Sequence, residues 1–161
     1  MILAPAQPGD REAVNTLALQ VHRLHVLWRP DIYEDCDLLY PRERFDAEME
    51  KGNLYVARAY ERIVGYVLVS VTQMEHPGLV KRSILRLEEI CVDAGFRQRG
   101  LGKQIMVDVT MLASQRGCTD IQLTCDPHNA AAIGLYESMG MNAKCIQYHL
   151  KLEKERGFNG D

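Results

Sequence analysis

Arg97-Gln98-Arg99-Gly100-Leu101-Gly102-Lys103 puts three cations and two glycines into seven residues. Glycine lets a backbone come close to a ligand. Where a helix opens, its first N–H groups lack intrahelical acceptors and its dipole adds partial positive charge. A pyrophosphate is the natural guest of such a place. Three readings compete. A nucleotide P-loop needs G-x-x-x-x-G-K-[ST]; Gly95 and Gly100 have that gap, but Leu101 stands where Lys belongs and Gln104 follows Lys103. A dinucleotide fingerprint needs a third glycine where Ile105 stands. The plain alternative is a charged strand-to-helix turn with a glycine cap.

A second group lies further along. Asn129, Ala132, Ile133 and Tyr136 fall at i, i+3, i+4 and i+7, one face of one helix. Ala132 leaves room for a ligand on that face. Tyr136 is either core or the functional group at its end. A third group is Glu88 with Ile90 and Val92, which strand alternation places on one face with Ile84 and Arg86. The same alternation puts Cys91 with Leu85 and Leu87. The five cysteines form no C-x-x-C pair, and their odd number argues against a disulfide framework and against zinc. Cys91 and Cys125 read as small buried hydrophobes, not acyl-carrying nucleophiles.

These groups need a scaffold. Met1–Ala4 suits a short first strand. After Pro8-Gly9-Asp10, the recurrence of Val14, Leu17, Val21, Leu24 and Trp28 makes an amphipathic helix that Pro30 ends. Residues 31–40 read as irregular loop, and Pro41 opens a helix closed by Gly52. Leu54–Ala57 and Ile63–Val69 form a hairpin across Glu61-Arg62, and Ser83–Val92 is the next strand. Ile105, Val109, Leu112 and Ala113 are the buried face of a helix stopped by Gly117. Asp120–Cys125 is a strand, Asp126-Pro127 caps a helix ending at Gly140, and Met141–Leu152 is the last strand. The tail, 153–161, is charged and frayed. The pattern predicts one mixed α/β domain over residues 1–152.

Composition narrows the partners. The net charge of −3 gives no basic field for nucleic acid. Apolar runs are too short to cross a bilayer, and Met1-Ile2-Leu3-Ala4-Pro5 is no signal peptide. A cytoplasmic protein is expected.

The motifs resemble those of the GNAT superfamily of N-acetyltransferases. Arg97-x-x-Gly100-x-Gly102 is similar to its R/Q-x-x-G-x-G/A motif. Ile90–Arg97 resembles the preceding strand and turn, with Ala94 for a frequent proline. Asn129–Met141 resembles the second cofactor motif, with Met141 for a Phe. The resemblance implies a central mixed, mostly antiparallel sheet of six to seven strands flanked by about four helices. Two strands, here 83–92 and 120–125, would splay apart to admit the cofactor's pantetheine arm. It implies acetyl-CoA held by Ile90, Cys91, Val92, Arg97, Gln98, Arg99, Gly100, Leu101, Gly102, Lys103, Asn129, Ala132 and Tyr136, with no metal. A homodimer is compatible with it.

The implied chemistry is acetyl transfer to a primary amine by direct attack in a ternary complex. Tyr136 matches the family tyrosine that reaches the cofactor sulfur, and so is the candidate acid for the departing thiolate. Leu87-Glu88-Glu89 is similar to a stretch of spermidine/spermine N-acetyltransferases, which makes Glu88 the candidate base, with a water chain as the alternative. Glu89 is expected to face the other way. The N–H near Ile90 is the candidate oxyanion donor. His22, His25, Trp28, Arg29, Asp31, Tyr33 and Glu34 line the acceptor site or form a solvated helix edge. The acceptor is a cationic small amine or a protein amine. The rival reading is a non-catalytic acyl-CoA-binding or sensing domain.

Overall fold

The computed structural model describes residues 2–59 and 61–152. In chain order the elements are β1 (Leu3–Pro5), α1 (Arg11–Trp28), α2 (Arg42–Glu50), β2 (Leu54–Ala59), β3 (Arg62–Met74), β4 (Arg82–Val92), α3 (Leu101–Gln115), β5 (Asp120–Leu123) and α4 (Ala130–Ser138). The sheet runs β1-β2-β3-β4-β5. Its pairs are antiparallel except the parallel β4–β5. A parallel pair requires a crossover, and α3 supplies it.

Helices cover both faces. On one, Ile105, Met106, Val109, Leu112 and Ala113 of α3 pack on Val67, Val69, Leu85 and Leu87. On the other, Val14, Leu17 and Ala18 of α1, with Tyr40 and Phe45, pack on Leu54, Val56, Tyr66 and Leu68. Each large aliphatic side chain so buried contributes roughly 1.5–3 kcal/mol. One polar group penetrates the α3 side. Asp108, 1% exposed, accepts from the amides of Ile2 and Leu3 and ties β1 to α3. No described helix is long and apolar enough to cross a membrane.

Four expectations are corrected. The sheet has five strands among the described residues, not six or seven. Residues 141–152 join no ladder, and Ile146, Tyr148, Leu150 and Leu152 are 77–90% exposed. Alternation marks a segment fit to be a strand, but only a neighbour makes it one. The last helix starts at Ala130 rather than at Pro127, because the Asn129 side chain accepts from the Ala132 amide and caps it. The face assignment along β4 also changes. Leu68 pairs with Glu89 but Val69 with Leu87, so Glu88 is an extra residue in the strand. Such a bulge reverses the alternation beyond it. The tail expected over 153–161 lies outside the described residues.

Candidate active site

The bulge sits where β4 and β5 part. Their ladder runs from Ile84↔Asp120 to Leu87↔Leu123 and stops. β4 continues for five residues to Val92 without that neighbour. Asp93 N donates to Val64 O, so the alternating ladder turns the backbone groups of Cys91 toward β3 and those of Ile90 and Val92 toward the gap. Arg97 Nε enters from the open side and donates to Val92 O at 2.9 Å. Unpaired strand edge of this kind can receive an extended amide-bearing ligand.

One end of the gap meets the glycine loop. Gly100 is the N-cap of α3 at φ 80°, and Gln98 is also left-handed at φ 60°. Alternating backbone handedness of this kind makes an anion-binding concavity. Among the described residues, the amides from Gln98 to Lys103 donate to no protein acceptor. A Cβ on Gly100 would meet nothing within 4 Å, so glycine is needed there for its φ and not for space. Gly102 is the opposite case. A Cβ on it would lie 3.1 Å from Leu135 of α4 and 4.0 Å from Val92 of β4. Loop, helix α4 and the free end of β4 therefore converge on Gly102. Arg99 is steadied over the Phe96 ring, 5.6 Å from its centroid.

Tyr136 closes the α3 side of the gap. It is 9% exposed and belongs to the α3-face core. Its hydroxyl makes no hydrogen bond among the described residues, yet no described side-chain polar atom is both fully buried and unpaired. The ring is thus buried and the hydroxyl open. Burial, then the neighbouring Cys125 thiol, pushes its pKa up to about 12, so it holds its proton at neutral pH.

The carboxylates lie on the opposite face. The bulge turns Glu88 toward α2, into a pocket of about 300 Å³ shared with Arg44, Glu48, Asn53 and Ser70. Ser70 Oγ donates to Glu88 Oε1 at 2.7 Å, and the carboxylate is 40% exposed. The bulge also breaks the expected grouping of Glu88 with Ile90 and Val92, which face α3. Glu89 is more enclosed. It accepts from Tyr40 Oη at 2.9 Å, Tyr66 Oη at 2.6 Å and the Arg44 guanidinium. Burial and then the Glu89 charge push the Tyr66 and Tyr40 phenols well above their usual range, keeping them donors. Cys91 faces α1, against expectation, and its thiol donates to Leu17 O. Burial pushes that thiol up to about 12, which removes it as a nucleophile.

The histidines of α1 pack against the loop that follows it. His25 stacks on Tyr33 with centroids 5.1 Å apart and lies 5.8 Å from Trp28. His22 Nε2 is 2.7 Å from Glu34 O and pins the 31–40 loop to α1. Burial lowers the His25 pKa, although Asp126 pulls the other way and Glu89 is also within electrostatic reach. Asp126 is held below its usual value by the His128 amide, at 2.9 Å, and then by its ring. Asp126 and Glu89 both lie within electrostatic reach of His25. Sequence reasoning missed Tyr40, Arg44, Tyr66 and Asp126, because no spacing joins residues drawn from separate elements.

Known proteins agree with this architecture. A single-residue mutant of the Bacillus halodurans protein BH1408 superposes with a TM-score of 0.89 at 27% identity, covering 95% of this chain and all of that one. The aminoglycoside N-acetyltransferase AAC(6')-Iy in complex with CoA shares the fold, with a TM-score of 0.67 at 18% identity over 93% of this chain and 99% of that one. In sequence, the [ribosomal protein bS18]-alanine N-acetyltransferase of Salmonella typhimurium is 39% identical over 61 residues, 38% of this chain and 41% of the relative. The glucosamine 6-phosphate N-acetyltransferase of Trypanosoma brucei brucei is 27% identical over 90 residues, 55% of this chain and 59% of the relative. The chain thus spans about two fifths to three fifths of the length of these curated relatives. The acetyltransferase (GNAT) family matches residues 19–141, a span that holds the glycine loop, the gap and α4, and the chain belongs to this family.

Proposed function

We propose that the protein transfers the acetyl group of acetyl-CoA to a primary amine by direct attack in a ternary complex. The observation that carries this reading is the convergence at Gly102. It joins a loop of free amides, an unpaired strand edge and the helix that presents Tyr136. Pyrophosphate on the loop and pantetheine along Ile90 and Val92 would bring the thioester toward Tyr136 and the carboxylate face.

The residues then divide the work. The amine nitrogen forms a bond to the thioester carbon, and the Ile90 N–H on the open edge receives the developing oxyanion. The bound ammonium first gives a proton to Glu88, directly or through water, and the neutral amine then attacks; the second proton that its nitrogen loses on forming the amide replaces the one Tyr136 gives up. As the C–S bond breaks, Tyr136 supplies a proton to the thiolate. Glu88 and Tyr136 lie on opposite faces of the sheet, which suits an amine entering from the carboxylate side. Glu88, Glu89 and Asp126 favour a cationic small amine, a class that includes the aminoglycosides used by one structural relative. A peptide amino terminus is the second acceptor class, supported by the sequence relative that acts on a ribosomal protein alanine.

Two measurements test this. Calorimetric titration should give tight binding of CoA and none of ATP or NAD; the reverse overturns the reading. Thiol release from acetyl-CoA should then be stimulated by spermidine, an aminoglycoside or an alanyl peptide. Tight CoA binding without turnover on any of these amines would favour the sensing domain instead.

A further inference from the structure

The gap holds one thiol that acetyl transfer does not use. β5 leaves its ladder at Leu123, and Cys125 stands two residues further on, where the edge of β4 runs free. Ile121, Leu123 and Cys125 pack against the α3-face core, the cluster that also takes in Ala132 and Tyr136 of α4. The Cys125 thiol is half-buried and donates to Asp126 O at 3.5 Å. It lies close enough to Tyr136 to act on that phenol's charge. Tyr136 itself points to a ligand here. It is 9% exposed, and its hydroxyl has no hydrogen-bond partner among the described residues. The other cysteines lie apart from it: Cys91 faces α1, Cys118 sits beside Ser83 at the far end of β5, and Cys145 is exposed.

We infer that Cys125 is a modification site, forming a mixed disulfide with the cofactor's own thiol. The inference rests on the acetyl-CoA site proposed above, which brings the cofactor sulfur to Tyr136 and so to Cys125. The reactant is oxidised CoA, the symmetric CoA disulfide. Cys125 gives its proton to solvent, and its thiolate attacks the sulfur of the CoA half held on the glycine loop. A bond forms between the two sulfurs, the S–S bond of CoA disulfide breaks, and the second half departs as CoA thiolate. One disulfide is exchanged for another, so no further oxidant is consumed. The product occupies the cofactor site covalently and stops acetyl-CoA from entering until a reducing thiol restores Cys125. Position selects this cysteine, not intrinsic reactivity. Burial and then Asp126 raise its pKa, so the free chain offers little thiolate there. A CoA disulfide seated on the loop meets it at high effective concentration. A disulfide without the nucleotide has no such advantage and reacts first at exposed Cys145.

The wild-type protein treated with CoA disulfide should gain the mass of CoA less two hydrogens, and peptide fragmentation should place it on Cys125 ahead of Cys145. Glutathione disulfide should reverse that order. Excess acetyl-CoA should slow the Cys125 adduct by at least ~10-fold and leave Cys145 alone. Turnover of the wild type should fall with the adduct and return with dithiothreitol, whereas Cys125→Ser should keep its own starting turnover through the treatment. Cys145 labelled first by both disulfides, or a Cys125 adduct indifferent to acetyl-CoA, overturns the proposal. If Cys125→Ser does not fold, adduct mapping and acetyl-CoA protection on the wild type decide. Calorimetry separates the two levels: tight CoA binding without a Cys125 adduct sinks this inference alone, and absent CoA binding sinks the cofactor site together with it.

Discussion

The two sides of the gap are built in different ways. The proposed cofactor side is mainly backbone: left-handed Gln98 and Gly100, free amides from 98 to 103, and the edge groups of Ile90 and Val92. The proposed acceptor side is made of side chains from separate elements: His25 from α1, Tyr40 from the loop before α2, Glu88 and Glu89 from β4, and Asp126 from the β5–α4 turn. Backbone sites are specified by a few local residues, which suits a donor such as CoA that stays the same whatever the acceptor. Side-chain sites depend on tertiary assembly and can change with the acceptor while the fold stays.

That difference predicts how each region breaks. The largest effect is expected at the junction of the two. Tyr136→Phe keeps the packed ring and removes only the open hydroxyl, so CoA binding should hold while kcat and kcat/KM fall together by ~10²–10³-fold, as for a lost general acid. Single-turnover rates at saturating acceptor check this. A variant that loses affinity and keeps its turnover would make Tyr136 a packing residue.

On the backbone side, Gly100→Asp forces a side chain onto φ 80° and sets a carboxylate among the free amides. The dissociation constant for CoA should rise by on the order of tenfold to a hundredfold. No crowding is expected, since space beyond Gly100 is open. Titration calorimetry reads the affinity, and melts of the free protein should show the smaller cost of a side chain at positive φ, roughly 1 kcal/mol.

The adjacent glutamates should separate cleanly. Glu89→Gln removes a carboxylate that satisfies two phenols and a guanidinium, and should cost roughly 1–3 kcal/mol in denaturant melts. Glu88→Gln, exposed and bonded to Ser70, should leave stability within ~0.5 kcal/mol and lower kcat. Equal destabilisation by both would erase the distinction between hub and base.

The smallest effect concerns His25. Burial lowers its folded pKa below the ordinary 6.5, so the unfolded chain binds more protons in that window. Stability should therefore rise with pH up to about 6.5 and be lost as pH falls below it. His25→Gln should flatten the slope, which thermal melts between pH 5 and pH 7 would show.

Reading along the chain recovers the backbone side well. The order of elements, the α3 core face and the glycine loop follow from period, punctuation and charge, because each rests on residues close in sequence. The residue hubs do not. Nothing near Tyr40, Arg44 or Tyr66 announces that all three converge on Glu89, since two helices and a hairpin must first pack to bring them together.

Glu88 shows where the boundary falls. Its type and its place before Ile90-Cys91-Val92 are written in the sequence. Its face is not, because a single inserted residue in the β3–β4 ladder reverses the alternation, and that insertion exists only as a pairing between strands. The same holds at the chain's end. Residues 145–152 encode an amphipathic strand, but hydrogen bonding to a neighbour is a tertiary decision, and in this structure no neighbour has taken it.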